Sequence, residues 1–417
     1  MCTSLRLPAY AAAEWSLLAR NFLLDSDYRE PAPGGQSQRR EWAQGFIASL
    51  SGDLFEHGEL ALGAEAHGFL GLKLDGGRGH AGAGLLPVDG DGAAEDDYAN
   101  AGAALRARWG GTNLRYGEMQ VETPVLDTGD KRLSPEYATG WMIDSRISDD
   151  LLLQSGRFTS FKNQASSSAR GDFIGYGAST RHGGLSLTGL RHGSADSRWR
   201  GAIYIGKLDD TWVQTYANLG THQGRWVLDA NLYRTRASGA QHAGAIDTLA
   251  YSLLGSLTLE AHTLSLAYQR VEGDTPFDFV GGDSIYLANS IKYADFNGPG
   301  ERSWQLRYQW NAAGAGLPGL SLSARYVRGS RIDGTHAPHP GAYQHYDAEL
   351  GRFVPQQGRG GRHWERDLDL RYVVQGGPAR DLTFSLAHVS HRANAAQGSP
   401  DLDRLYLILE YPLSGRF

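Results

Sequence analysis

Apolar and polar residues alternate along most of this chain. In "SWQLRYQW" at 303–310, Trp304, Leu306, Tyr308 and Trp310 take one phase; Ser303, Gln305, Arg307 and Gln309 take the other. The same period of two runs through "NLRYGEM" at 113–119, "RWVLDANLY" at 225–233, "YSLLGSLTLE" at 251–260 and "HTLSLAYQRV" at 262–271. It returns in "LSLSARYV" at 320–327 and "LDLRYVV" at 368–374. Alternation of this kind predicts strands exposed to different surroundings on their two faces. Between the runs lie turn signals such as "WGGTN" at 109–113, "AAGAGLPG" at 312–319 and "QGGPARD" at 375–381. Counted this way, the chain holds about sixteen to twenty strands and no long amphipathic helix.

The chemistry of the two phases decides which β architecture this is. A water-soluble sandwich alternates too. Here, however, the apolar phase is a band of Leu, Ala and Gly with Trp and Tyr towards its ends, while the polar phase carries charge at mid-strand, as at Arg307, Arg325, Asp369 and Arg371. Aromatic-ended apolar bands facing lipid and a polar face lining a wet lumen describe a transmembrane β-barrel. Closure pairs every backbone group, which lipid demands. The last thirteen residues, "LYLILEYPLSGRF", fit as a closing strand: Leu405, Leu407, Leu409, Tyr411 and Leu413 share one phase and Phe417 ends it. The fold expected is all-β: an antiparallel transmembrane barrel of about 18 strands with an inward-folded constriction loop.

Composition sharpens this picture. In 417 residues there are 55 Gly, 20 Tyr and 10 Trp, which suits many strands joined by turns, and mean hydropathy is −0.41 with no apolar run long enough for a transmembrane helix. The net charge of −6 gives no electrostatic reason to expect nucleic acid. Cys2 is the single cysteine, so neither a disulfide framework nor a thiolate metal cluster is expected. No internal break in composition marks a second domain. Residues 14–417 are expected to form one barrel domain, and residues 1–13, whose Ala11–Ala13 resembles the tail of a cleavage site, to be a leftover or atypical N-terminal segment.

Only five of the 40 basic residues are lysine. Either genomic composition or selection for the planar guanidinium fork, which grips carboxylates with paired hydrogen bonds, explains that skew. Position must decide between them. In "AALRARWGGTNLRYGE" at 103–118, Leu105, Ala107, Leu114 and Tyr116 fall on the apolar face, and Arg106, Arg108 and Arg115 on the other. Arg307, Arg325, Arg371 and Arg404 take the same phase on later strands. An arginine on the lipid face near the midplane costs about 2–4 kcal/mol, so in a barrel these face the lumen. They form either a path for anions or ion pairs with lumen carboxylates that hold the wall.

Two long polar stretches offer constriction loops: "MQVETPVLDTGDKRLSPEYATG" at 119–140 and "TPFDFVGGDSIYLANSIKYADFNGPGERSW" at 275–304. The second brings Asp283, Ser284, Tyr293 and Asp295. Set opposite arginines, such a patch creates a transverse field that favours carboxylates and zwitterions; the plainer alternative is an ordinary surface loop.

Several stretches carry a resemblance to a known family. "REWAQGF" (40–46), "LGLKLDGGRGHAGAGLLPVDGDG" (70–92), "GGDSIYLANSIKYADFNGPGERSWQLRY" (281–308), "DLDLRYVVQGGPARDL" (367–382), "HRANAAQG" (391–398) and "EYPL" (410–413) resemble the OprD-type substrate-specific outer-membrane channels. The resemblance implies a barrel for passive uptake of small carboxylate-bearing nutrients (amino acids, aromatic or other organic acids), with an inward loop and a ladder of basic lumen residues. Carried over, Arg132 in "DKRLSP" falls on the constriction arginine; Asp283, Ser284, Tyr293 and Asp295 fall on the eyelet-lining segment; Arg371 and Arg392 fall on ladder positions. The chain departs from the family in "TFSLAHVSH", which has no arginine before Arg392, so the ladder thins there.

Competing classes find less support. His182, His192, His388 and His391 are scattered, and no GxSxG or HExxH accompanies them, so a lumen or surface hydrolase lacks its constellation. A barrel that docks partners or serves adhesion would not need lumen arginines. A calcium ion bridging Asp89, Asp91, Asp96 and Asp97 is a weak alternative, and no cofactor is expected. Expected partners are small carboxylate solutes, outer-membrane lipid and lipopolysaccharide, and the barrel assembly machinery acting through the Phe417 strand, with no nucleic acid; the assembly expected is a monomer or loose trimer in the bacterial outer membrane.

Overall fold

The computed structural model describes residues 13–31, 35–174, 179–180, 183–194 and 197–417. Eighteen antiparallel strands make one sheet. In chain order these are Glu14–Tyr28, Gln38–His57, Leu60–Asp75, Asp97–Trp109, Thr112–Met119, Tyr137–Ser148, Leu151–Lys162, Leu185–His192 and Trp199–Leu208. There follow Trp212–Gln223, Trp226–Ala237, Asp247–Leu259, His262–Glu272, Arg302–Asn311, Leu320–Asp333, Arg359–Val373, Thr383–Ala393 and Leu402–Arg416. Each pairs with the next, and the first pairs with the last in register from Glu14↔Arg416 to Tyr28↔Leu402, so the sheet closes into a barrel. Of the segment 1–13 set apart in the sequence, all but Ala13 lies outside the described residues.

The phases fall as their chemistry requires. Trp304 is 64% exposed on the outer wall while its neighbour Ser303 is fully buried facing inward. Leu105, Tyr116, Leu266, Leu306, Leu322 and Leu368 share the exposed outer face. On the closing strand, Leu405, Leu409 and Leu413 point out and Leu402, Arg404 and Tyr406 point in. Phe417 lies 82% exposed, its ring 6.3 Å from Trp15, and its amide donates to Ala13 O at 2.9 Å. The alternating chain end is thus the seam of the barrel.

One end of the barrel has two-residue turns, at 58–59, 110–111, 149–150, 224–225 and 260–261. Gly110 and Gly224 occupy φ of 53° and 59° there, the left-handed conformation that such tight turns require. The other end carries the long connections 76–96, 120–136, 273–301 and 334–358. Short turns mark the periplasmic end and long loops the extracellular end of such barrels. The buried apolar residues lie in two main clusters, each formed between the inner wall and loops that fold into it.

Candidate functional site

Three loops enter the lumen, and each is tied by a buried carboxylate. Glu41, fully buried on its strand, accepts the amides of Gly82 (2.7 Å), Ala83 (3.1 Å), Leu85 (2.7 Å) and Leu86 (3.2 Å), which fastens the 76–96 loop. Glu365 accepts the amides of Tyr293 (2.9 Å) and Ala294 (2.8 Å) and fastens the 273–301 loop. Glu136 accepts those of Gly129 (2.9 Å) and Gly282 (2.7 Å), one from each of two loops. Burial without such partners would leave these charges and amides unsatisfied.

The 120–136 loop spans the lumen. Val121, Val125 and Leu126 pack among Phe158, Leu187, Tyr204 and Tyr233 of one wall, whereas Leu133 packs among Phe22, Leu24 and Phe69 of another. Tyr233 OH donates to Pro124 O at 2.9 Å. Where this loop meets the 273–301 loop, Asp127 N donates to Ser284 Oγ at 2.5 Å and Tyr286 OH donates to Asp127 Oδ2 at 2.6 Å. Lys131 pairs with Asp283 beside them. Burial pushes the pKa of Asp127 up to about 7, against the Tyr286 hydrogen bond, and burial likewise pushes Glu136 up to about 7, against its two amide donors.

The two loops leave a cavity of about 700 Å³ against the closing seam. Arg20, Tyr406 and Glu410 face it from the seam strands, Asp130, Lys131 and Arg132 from the first loop, Ser290 and Lys292 from the second, and Arg325 from the strand Leu320–Asp333. Most of its cations already hold a carboxylate. Arg20 pairs with Asp130 and with Glu410 (2.8 Å) and donates to Arg132 O at 2.7 Å. Lys292 pairs with Asp369 at 2.9 Å, and Arg325 with Asp367 at 3.1 Å. The Arg132 side chain donates to Lys131 O at 3.0 Å, and among the described residues no carboxylate pairs with it.

The structure sorts the residues singled out in the sequence. Arg132 lies in the cavity, and Asp283 stands at its edge through Lys131. Ser284 does not line an opening: it is fully buried and joins loop to loop. Tyr293 lies beneath the Arg404 guanidinium, 4.8 Å from ring centre to Cζ, and Asp295 accepts the Ser290 hydroxyl at 2.7 Å. Arg404 also donates to Ser26 Oγ at 2.8 Å. Arg307 stands in direct register with Arg325, and its nearest partner is Ser323 Oγ at 3.4 Å. Arg371 flanks a separate small pocket with Asp369 nearer the periplasmic end. On the far side of the ring, Arg106 and Arg108 share Asp53, each at 2.7 Å, and Arg115 sits between Glu65 (3.7 Å) and Asp144 (3.6 Å).

Arg392 requires a correction. It is in register with Trp364 and pairs with Asp403 at 2.7 Å, and both belong to the outward phase. It therefore faces outward near the extracellular rim and is not part of a lumen ladder. The lumen position on that strand belongs to His391, which is fully buried.

Reasoning from sequence missed Arg20, Lys131, Lys292, Tyr406 and Glu410. Two of the five lysines were themselves the signal. Arg20 was hidden because the inward phase of its strand also carries Phe22 and Leu24, buried under the loops. His182 lies outside the described residues, and the remaining histidines do not converge: His391 bonds to His363 at 2.9 Å inside the barrel, whereas His388 takes the outward phase. Asp89 uses Oδ1 to accept the amides of Asp91 and Ala93, and Asp96 pairs with Lys73. Among the described residues no group of three or more His, Cys, Asp or Glu side chains is arranged to hold a metal.

Comparison with known proteins fits this geometry. A family profile described as "outer membrane porin, OprD family" matches residues 10–415. Porin D of Pseudomonas aeruginosa is 40% identical over 413 residues, covering 95% of this chain and 90% of that protein. The crystal structure of Pseudomonas aeruginosa OccK9 (OpdG) superposes with a TM-score of 0.85 at 34% identity, covering 97% of this chain and 98% of the other. That of Pseudomonas aeruginosa OpdK with vanillate gives 0.83 at 33% identity, covering 97% and 99%. These relatives are channels, and the chain belongs to the OprD family of outer-membrane porins, which serve substrate uptake across the bacterial outer membrane.

Proposed function

We propose that the cavity at the seam is an eyelet selecting small carboxylate-bearing nutrients (amino acids, aromatic or other organic acids) for passive descent towards the periplasm. The observation that carries this reading is Arg132: in a cavity where Arg20, Lys292 and Arg325 each hold a carboxylate, its guanidinium has none among the described residues. A solute carboxylate supplies the missing paired hydrogen bonds. Arg404 above, and Arg307 and Arg371 below, extend a basic wall from eyelet to exit. Arg106, Arg108 and Arg115, already paired, hold the opposite wall. Passage demands sites that bind and release, which suits single, partly satisfied cations better than a closed anion cage. That OpdK was solved with vanillate, a carboxylate, supports the same class of solute.

In this reading residues 14–417 act as one domain and as a channel, not a catalyst. The Phe417 strand, exposed beside Trp15, is the element offered to the assembly machinery, and the barrel works as a monomer or loose trimer. The test is planar-bilayer recording of the refolded chain with benzoate, amino acids and a neutral sugar. Blockade or flux favouring carboxylates, lost in Arg132→Ala while the sugar is unaffected, supports the eyelet. Equal loss for both solutes removes it.

A further inference from the structure

The outward face near the extracellular rim carries an arrangement that solute passage does not use. Tyr268, Trp304, Arg328, Trp364 and Arg392 stand in one unbroken cross-strand row, each in direct register with the next. All five take the outward phase, alternating with the inward, buried Gln269, Ser303, Val327, His363 and His391. One outward step towards the loops, Arg270, Arg302, Ser330 and Arg362 form a second row. One step the other way, Arg366 stands opposite Tyr326. The Arg392 guanidinium lies 5.8 Å from the Trp364 ring centre, and Tyr268 packs 4.5 Å from Trp304.

Trp and Tyr on the outer wall mark the level of the lipid headgroups. The strands concerned run on into the long loops 273–301, 334–358 and 394–401, so this is the extracellular leaflet. Cations interleaved with aromatics at that level meet headgroups. Arg270 pairs with Glu272 and Arg392 with Asp403, but among the described residues no carboxylate pairs with Arg302, Arg328, Arg362 or Arg366. Elsewhere on the outer wall, Arg157 and Arg234 are each matched by a carboxylate, Asp209 and Asp247. Like charges directly opposite, as at Arg270 and Arg302, destabilise a sheet unless an anion lies between them. Among the described residues, Arg302, Arg328, Arg362 and Arg366 of the outer wall are thus gathered without a carboxylate on one arc of the barrel, in three adjacent rows.

We propose that this arc binds the phosphate groups of a phosphorylated glycolipid of the outer leaflet, the lipid A part of lipopolysaccharide. Arg302, Arg328, Arg362 and Arg366 hold its phosphates through forked hydrogen bonds. Trp304, Trp364 and Tyr326 lie against its sugar and the tops of its acyl chains. The ligand is the lipid headgroup rather than free phosphate, because the aromatics of the same rows offer contact that an inorganic ion does not use.

The test uses full-length protein refolded in detergent free of lipopolysaccharide. Binding of diphosphorylated lipid A, dephosphorylated lipid A and inorganic phosphate is measured by native mass spectrometry. Two variants are compared with the parent: one with Arg302→Gln, Arg328→Gln, Arg362→Gln and Arg366→Gln, and one with Lys at the same four positions. Single-channel conductance, which depends on the lumen, reports that each variant is folded. The expected result is that diphosphorylated lipid A binds the parent at least about tenfold more tightly than it binds the Gln variant, with the Lys variant between them. Equal binding by parent and Gln variant, or equal binding of the dephosphorylated lipid, overturns the proposal. So does inorganic phosphate occupying the parent as well as the lipid does. If the Gln variant lacks normal conductance, the comparison passes to the Lys variant: undiminished binding there together with undiminished binding of dephosphorylated lipid overturns the site, and binding that still requires the phosphates upholds it.

Discussion

Arg20 grips Asp130 with both ends of its fork, Nη1 to Oδ1 at 2.6 Å and Nη2 to Oδ2 at 2.9 Å. One partner belongs to the wall and the other to the tip of the inward loop. The same guanidinium also reaches Glu410 and the carbonyl of Arg132. It thereby joins the seam to the loop that carries Arg132, on one side of the proposed eyelet.

Replacing Arg20 with Met removes that grip and leaves Asp130 and Glu410 facing one another. Single-channel steps of Arg20→Met are expected to be larger and noisier than the parent's, and its reversal potential in a salt gradient to move towards cation preference. An unchanged step size would show that the loop is held by its other contacts alone.

Paired and unpaired arginines should differ in function, and among the described residues Arg371 pairs with no carboxylate, its neighbour Asp369 being held by Lys292. Arg371→Ala is expected to lower carboxylate flux by up to about tenfold, equivalent to ~1.4 kcal/mol. Arg106→Ala should leave that flux near the parent value, because Arg106 is already matched by Asp53. Liposome swelling in benzoate and in a neutral sugar distinguishes the two variants.

The contact between the two eyelet loops should loosen with rising pH. Asp127 faces Tyr286, Asp283, Glu122 and Lys131, and Glu136 faces Asp283 and Lys131. Both carboxyls are raised by burial to about 7, above their unfolded values. The folded form therefore holds more protons than the unfolded form between about pH 4 and 7. The stability this confers is complete below that window and is lost as pH climbs through 7. Open-channel noise should be higher at pH 8.5 than at pH 5.5, and Asp127→Asn should flatten the difference. Noise rising towards low pH instead would contradict the assignment.

Glu41→Ala should free the 76–96 loop. The four amides it accepts lose a charged acceptor, and one hydrogen bond of that kind is worth about 1.5–3 kcal/mol. Limited proteolysis is the readout: new cleavage within 76–96 is expected in Glu41→Ala and less in Glu41→Gln, which keeps one carbonyl oxygen. Protection equal to the parent's would assign the loop's position to its apolar contacts, such as Leu85 and Leu86.

The wall of this protein was legible in its sequence because lipid and water impose a strict alternation. Trp304 against Ser303, or Leu405 against Arg404, can be assigned from period two alone. The eyelet was only half legible. Arg132 and Asp283 were marked by resemblance, but their company depends on where two loops meet across the lumen. No local pattern encodes the contact between Asp127 and Tyr286, 159 residues apart. Arg392 shows the opposite failure: a motif suggested a role that strand phase denies, and counting from His391 would have revealed it.

The first and last strands of the barrel meet at Arg20 and Glu410, which stand in direct register, and Arg20 also holds the loop bearing Arg132. The opening is consequently built from residues 390 positions apart in the chain. A polypeptide whose ends have not yet joined lacks the side of that opening built from Arg20, Tyr406 and Glu410. In the proposed reading, completion of the ring and acquisition of selectivity coincide, because the strand pair that closes the barrel also supplies one side of the filter.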